Sequence, residues 1–266
     1  MRFLLRYLKY RFRSVDEHSV HSPFLFKLLT EVIYDNSYSP ACDEIELLRR
    51  SLLHSEEEIE VEDLGAGSRT GKNKKRRIAE IMKNAGHPVR YGRLLYRLSK
   101  RIKAKSILEL GTSLGISALY QHAGNPDATL TTLEGCKHTA AYARNNFAAL
   151  HAEKIKLVEG NFNFTLPDFI RSCDRLDQVF FDGNHRREPT LSYFRACLQK
   201  AHEGSVFIFD DIHWSDEMES AWEEIRTDPA VSLSIDLFYM GLVFFHKGQA
   251  RQHFILKFKL PRNAYL

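Results

Sequence analysis

From about residue 106 the chain alternates short apolar runs with amphipathic stretches, the pattern of an α/β sheet whose strands and helices follow one another. Residues 106–115, Ser-Ile-Leu-Glu-Leu-Gly-Thr-Ser-Leu-Gly, read as a buried strand that passes through a glycine turn into a helix. The β-branched run 128–134, Ala-Thr-Leu-Thr-Thr-Leu-Glu, gives a second strand. A helix over 140–150, a strand over 155–158, a helix over 166–170 and a strand over 178–181 continue the alternation. A helix from about 189 to 201 then leads to a strand over 205–209. Two more apolar stretches, 232–238 and 241–245, are close enough in sequence to form an antiparallel pair, which is placed at the sheet edge. Upstream, Ser22 and Pro23 open a helix expected to run to about Tyr34, and 79–102 reads as helical. The expected fold is therefore a doubly wound, Rossmann-like sheet, mostly parallel with an antiparallel last strand. A helical cap over 1–100 precedes the domain at 101–266.

The chemistry gathers at strand ends. Gly111 and Gly115, with Thr112 and Ser113 between them, let the backbone approach a ligand closely, and the helix beyond aims unpaired N–H groups at it. Glu109 sits just before this turn, where an acid would repel a dinucleotide pyrophosphate but suit a cationic or zwitterionic ligand. Glu134 ends the next strand about twenty residues on, where doubly wound folds place a carboxylate on ribose hydroxyls. Together they point to S-adenosylmethionine rather than NAD. Asn161, after the strand at Val158, is a candidate neighbour of the adenine.

The order Glu109-Leu110-Gly111, Glu134, Val179-Phe180-Phe181-Asp182 and Phe207-Ile208-Phe209-Asp210-Asp211 resembles the catechol O-methyltransferase type of S-adenosylmethionine-dependent enzyme over roughly 90–246. The resemblance implies that Asp182, Asp210 and Asp211 hold a divalent metal such as Mg²⁺, which chelates a small hydroxylated acceptor. It also implies a homodimer, with the N-terminal helix as dimer or lid element. Independently, three carboxylates at neighbouring strand ends make a hard oxygen set that a cation would stabilise. The alternative for Asp210 and Asp211 is capping of the helix near Asp216. His185, in Asp182-Gly183-Asn184-His185, is the candidate base beside Asp182, since the family's lysine is missing there. His213 is a second candidate, and Trp214, Tyr239 and Met240 are candidates for an apolar wall against an aromatic acceptor.

Composition narrows the class. With 266 residues and 44% hydrophobic content the chain can bury a substantial core. It shows neither an 18-residue apolar run nor a secretory signal pattern, which argues for the cytoplasm. Cys42, Cys136, Cys173 and Cys197 are scattered and suggest neither zinc nor disulfides. The net charge is only +4, yet cations cluster at Arg2, Arg6, Lys9, Arg11 and Arg13, and again from Arg69 to Arg77. The first cluster interleaves with Phe3, Leu4, Leu5, Tyr7, Leu8 and Phe12, a helix read as docking to the protein, with membrane-surface contact as the less favoured reading. The second surrounds a glycine turn, 61–71, that imitates the cofactor turn but lacks a following acid-tipped strand, and is read as a loop over 61–77. His18 and His21 could line a site entrance, although capping is the simpler role. Nucleic acid is not the favoured partner, but the cations keep an RNA methyltransferase as the second reading. A non-catalytic S-adenosylmethionine-binding protein is the third, and a metal-dependent hydrolase the fourth.

Overall fold

The computed structural model describes residues 2–16, 22–62, 75–248 and 250–258. It divides into two compact units, Met1–Ser37 with Arg175–Leu266, and Tyr38–Asp174, so the first hundred residues contribute to both. His18, His21 and residues 63–74 of the second glycine turn lie outside the described residues.

The first unit opens with α1 (Arg2–Arg13) and α2 (Pro23–Leu28). Ser22 caps α2 by accepting from the Leu25 N–H at 3.4 Å, and Pro23 occupies the first helical position, where its missing N–H costs nothing. The chain then widens into a π turn over Leu29–Ile33. The expected helix to Tyr34 therefore changes its hydrogen-bond register midway. At the transition the Thr30 hydroxyl donates back to the Phe26 carbonyl at 3.0 Å, a bond that loosens a helical ladder.

The second unit contains α3 (Asp43–Leu53), the antiparallel pair β1 (Glu58–Glu60) and β2 (Lys75–Arg77), α4 (Ile78–Ala85) and α5 (Val89–Ile102). The single helix expected over 79–102 is broken at 86–88. Pro88 cannot donate into the ladder and disfavours helical geometry at His87. There follow β3 (Ser106–Leu110), α6 (Ile116–Gly124), β4 (Thr129–Glu134), α7 (Lys137–Ala149), β5 (Lys156–Glu159) and α8 (Phe162–Ser172). β3, β4 and β5 are parallel, with Ile107 opposite Leu130 and Leu133 opposite Val158. Their apolar positions lie in the core with Leu94, Leu95 and Leu98 of α5.

The remainder of the first unit comprises β6 (Gln178–Phe181), α9 (Arg187–Leu198), β7 (Val206–Asp210), α10 (Asp216–Thr227), β8 (Leu233–Asp236), β9 (Met240–Phe244) and β10 (Gln252–Ile255). The strand order here is β10-β8-β9-β7-β6, with β9 running against both its neighbours. Near-continuous apolar strands mark a sheet covered on both faces: Phe181 stacks on Phe209 at 4.4 Å, and Phe207 meets Phe245 edge-on at 4.8 Å. The antiparallel pair is as expected, but it does not form the edge, because β10 pairs in parallel with β8. Gln-His-Phe-Ile is too short and too mixed to announce a strand. What stabilises it is distant in sequence: the Val15 N–H donates to the Ile255 carbonyl, and the Tyr10 hydroxyl donates to that of Leu256.

Both units thus carry the expected α/β pattern of mostly parallel strands separated by helices, with a late antiparallel strand. Among the described residues no helix is long and apolar enough to cross a membrane.

Candidate active site

In the second unit, the turn after β3 has the strained geometry that its glycines anticipate. Gly111 and Gly115 have φ of 103° and 84°, and a Cβ on Gly115 would lie 2.5 Å from the Phe147 ring. Ser113 also adopts a left-handed conformation, at φ 48°. That turn aims its N–H at Glu134: Ser113 N donates to one carboxylate oxygen at 2.8 Å, and Cys136 N to the other at 2.9 Å. Burial pushes the Glu134 pKa above the ordinary carboxylate value, while these backbone donors pull it back by favouring the charged form. The acid is therefore fixed at the turn before any ligand arrives.

Glu109 is fully buried. Its carboxylate accepts from Gln121 Nε2 at 2.9 Å and from the Thr132 hydroxyl at 2.6 Å, and Thr132 is in turn 2.6 Å from the Thr112 hydroxyl. Sequence reasoning missed Gln121 and Thr132. Their only signal was position, Gln121 on the first face of the following helix and Thr132 directly across the ladder from Glu109. Asn161 is exposed and caps α8, its side-chain oxygen accepting from the Asn163 N–H at 2.9 Å.

In the first unit, Asp182 follows β6, and Asp210 and Asp211 close β7. Asp182 and Asp210 each offer a carboxylate oxygen within 4.8 Å of the other, and His185, Asp210 and Asp211 likewise bring one ligand atom each within that span. Asp210 is common to both groupings, and carboxylate oxygens are the ligands that suit a hard divalent cation. His185 Nε2 lies 3.5 Å from Asp182. Burial alone would lower the His185 pKa, but the hydrogen bond to Asp182 and the charges of Asp211, Asp182 and Asp210 outweigh it and push it up to about 9. Asn184 and Asp211, at φ 56° and 55°, take up the left-handed geometry that re-aims the chain at each strand end. The helix near Asp216 is capped by Ser215, whose hydroxyl accepts from Met218 N at 3.1 Å, so Asp210 and Asp211 are not its caps.

His213 is engaged at both nitrogens, by Glu219 at 2.9 Å and by Asp236 at 2.8 Å, and its ring stacks on Phe238. Burial lowers its pKa, yet the two carboxylates win and raise it overall. A histidine so held has no nitrogen left for an acceptor's proton. Met240 is buried within β9. Tyr239 and Trp214 both contact Phe3 of α1, at 6.0 and 6.4 Å between ring centroids.

Comparison with known proteins finds methyltransferases. Residues 108–212 match a family described as a methyltransferase domain. A catechol O-methyltransferase of Niastella koreensis is 28% identical over 143 residues, 53% of this chain and 62% of that protein. Another, of Mycobacterium tuberculosis, is 30% identical over 123 residues, 46% of this chain and 54% of that protein. The chain thus spans less than two thirds of the length of either relative. An O-methyltransferase from Bacillus cereus, solved in complex with SAH, superposes with a TM-score of 0.53 at 18% identity, over 79% of this chain and 93% of that one, which shows a common fold. The matched segment, 108–212, runs from the acid-flanked glycine turn to the paired aspartates after β7, and its match is to a methyltransferase domain.

Proposed function

We propose that the protein is an S-adenosylmethionine-dependent O-methyltransferase acting on a small acceptor with vicinal hydroxyls, assisted by a divalent cation such as Mg²⁺. What carries this reading is that one matched segment holds both the turn with its two fixed acids and the three aspartates.

Glu134, already oriented by Ser113 and Cys136, hydrogen-bonds the ribose hydroxyls. The glycine turn and Thr112, Ser113 and Asn161 complete the contacts, while buried Glu109 contributes negative charge that favours a cationic ligand. When bound, S-adenosylmethionine supplies a methyl group activated by its sulfonium. When held by Asp182, Asp210 and Asp211, a divalent cation supplies Lewis acidity towards the acceptor oxygens and compensates the three negative charges. His185, whose Nε2 faces Asp182, takes the acceptor's proton at Nδ1, which requires its neutral form. The aspartates favour the charged form, so their compensation is the condition for His185 to act as a base.

The test is methyl transfer from labelled S-adenosylmethionine to catechol, with Mg²⁺ and after chelation. Turnover should fall by roughly 10²- to 10³-fold on chelation, in line with the several kcal/mol that a Lewis acid supplies. Asp182→Ala should abolish turnover while calorimetry shows S-adenosylhomocysteine bound as before. Equal turnover in the variant, or failure of the wild type to bind either cofactor form, overturns the proposal.

A further inference from the structure

α1 has two apolar faces, and the fold uses one. Phe3, Tyr7 and Tyr10 recur at helical spacing and pack on Phe238 with centroid distances of 5.0–5.2 Å. Arg6 reinforces this docking by pairing with Asp216 and, through Nε at 2.9 Å, with Glu219. On the opposite face Leu4, Leu8 and Phe12 recur every fourth residue with Leu5 beside them, and they remain 60%, 46%, 91% and 60% exposed respectively. Scattered exposed leucines are ordinary; a stripe along three turns of one helix is not.

Cations flank that stripe. Lys9 and Arg13 lie along one side of it and Arg11 along the other, all exposed, and α1 contains no acid. Lys9 and Arg13 have no carboxylate partner among the described residues, and they extend into a cavity of about 340 Å³ that Arg6 and Arg226 also line. Glu219, Glu223 and Asp236 lie there too, but they are engaged by Arg6, by Arg226 at 2.7 Å and by His213 at 2.8 Å. The unspent charge on this flank is positive.

We propose that α1 lays its outward face on an anionic lipid surface, with Leu4, Leu5, Leu8 and Phe12 entering the headgroup–acyl boundary and Lys9, Arg11 and Arg13 meeting lipid phosphates. An apolar stripe bordered by cations on both sides is the arrangement of a helix lying in a membrane interface. A second copy of the chain fits less well. Four side chains fall short of the roughly 800 Å² per partner that a stable interface buries. The flanking cations of two copies would also face one another unpaired. The docked inner face means that α1 need not leave the protein to bind.

The test is co-sedimentation of the full chain with vesicles of phosphatidylcholine alone and of phosphatidylcholine with 30% phosphatidylserine by design. Binding should be confined to the anionic vesicles and weaken with salt. Each cation near such a surface contributes about 1 kcal/mol, so Lys9→Gln/Arg11→Gln/Arg13→Gln should lower the partition coefficient on the order of a hundredfold. Leu8→Ser/Phe12→Ser, at exposed sites that leave the fold intact, should lower it at least tenfold. Wild-type protein that ignores anionic vesicles, binds both compositions equally or keeps its affinity in both variants overturns the proposal. So does sedimentation equilibrium showing a dimer that Leu8→Ser/Phe12→Ser dissociates, because the stripe then belongs to a second copy.

Discussion

The turn after β3 and the aspartates after β6 and β7 both gather carboxylates at strand ends, yet they stabilise the charge by opposite means. Around Glu109 and Glu134 the donors are neutral: backbone N–H groups of Ser113 and Cys136, the Gln121 amide and the Thr132 hydroxyl. Around Asp182, Asp210 and Asp211 the structure draws in His185 as a charged partner, with a pKa up to about 9. Dipoles fixed by the fold hold their acids in place whatever the solution contains. A proton held by histidine can be exchanged for another cation, so the aspartate cluster is the half of the chemistry that pH and metal should control.

Titration is the strongest way to break that contrast. With a folded pKa of about 9 against 6.5 in the unfolded chain, His185 contributes its full stabilisation below about pH 6.5 and loses it as the pH rises through 9. At about 1.4 kcal/mol per unit of pKa, the loss is at most about 3.5 kcal/mol. Urea unfolding between pH 6 and 10 in chelator should show that decline, and His185→Gln should flatten it. Millimolar Mg²⁺ should shift the imidazole resonance of His185 to a lower pKa. An unchanged titration with metal present would mean that the aspartates do not bind the ion.

The glycine turn should respond not to metal but to its own donors and acceptors. Glu134→Gln puts an NH₂ where a carboxylate oxygen now accepts from a backbone N–H. With hydrogen bonds to charged groups at about 1.5–3 kcal/mol, S-adenosylhomocysteine affinity should drop roughly 10- to 100-fold. Glu159→Gln is the matched control: it lies opposite Glu134 on β5 but pairs with Arg144, and should leave affinity unchanged. Calorimetry giving the same affinity for Glu134→Gln and wild type would remove the ribose role.

What was legible in the sequence follows the same division between local and distant causes. The β3 turn, the acid at the end of β4 and the aspartates after β6 and β7 each depend on residues within one element, and the chain announces them by apolar runs ending in Gly, Glu or Asp. The break before Val89 is equally local: Pro88 marks it, against the apolar spacing of Leu94, Leu95 and Leu98, which predicts one continuous helix. β10 could not be read, because Gln252–Ile255 becomes a strand through β8 and through Val15, far away in sequence. The partners of Glu109 were hidden for a related reason. Gln121 and Thr132 look like ordinary helix and strand residues until the parallel register brings Thr132 opposite Glu109. The engagement of His213 by Glu219 and Asp236 likewise exists only after α10 and β8 have folded together.

Asn161 is where a local role and a ligand role fall on one side chain, and it gives the smallest effect. Its oxygen is spent on the α8 cap, but a cap uses only the acceptor and leaves the amide donors for an adenine nitrogen. Serine caps as well as asparagine but offers no amide, so Asn161→Ser should keep the thermal midpoint while weakening S-adenosylhomocysteine binding by about two- to tenfold, the value of one neutral hydrogen bond. Asn161→Ala should show the same loss of affinity together with about 1 kcal/mol of stability. If serine restores stability and affinity alike, the side chain is a cap alone, and adenine must be held by other residues of the second unit.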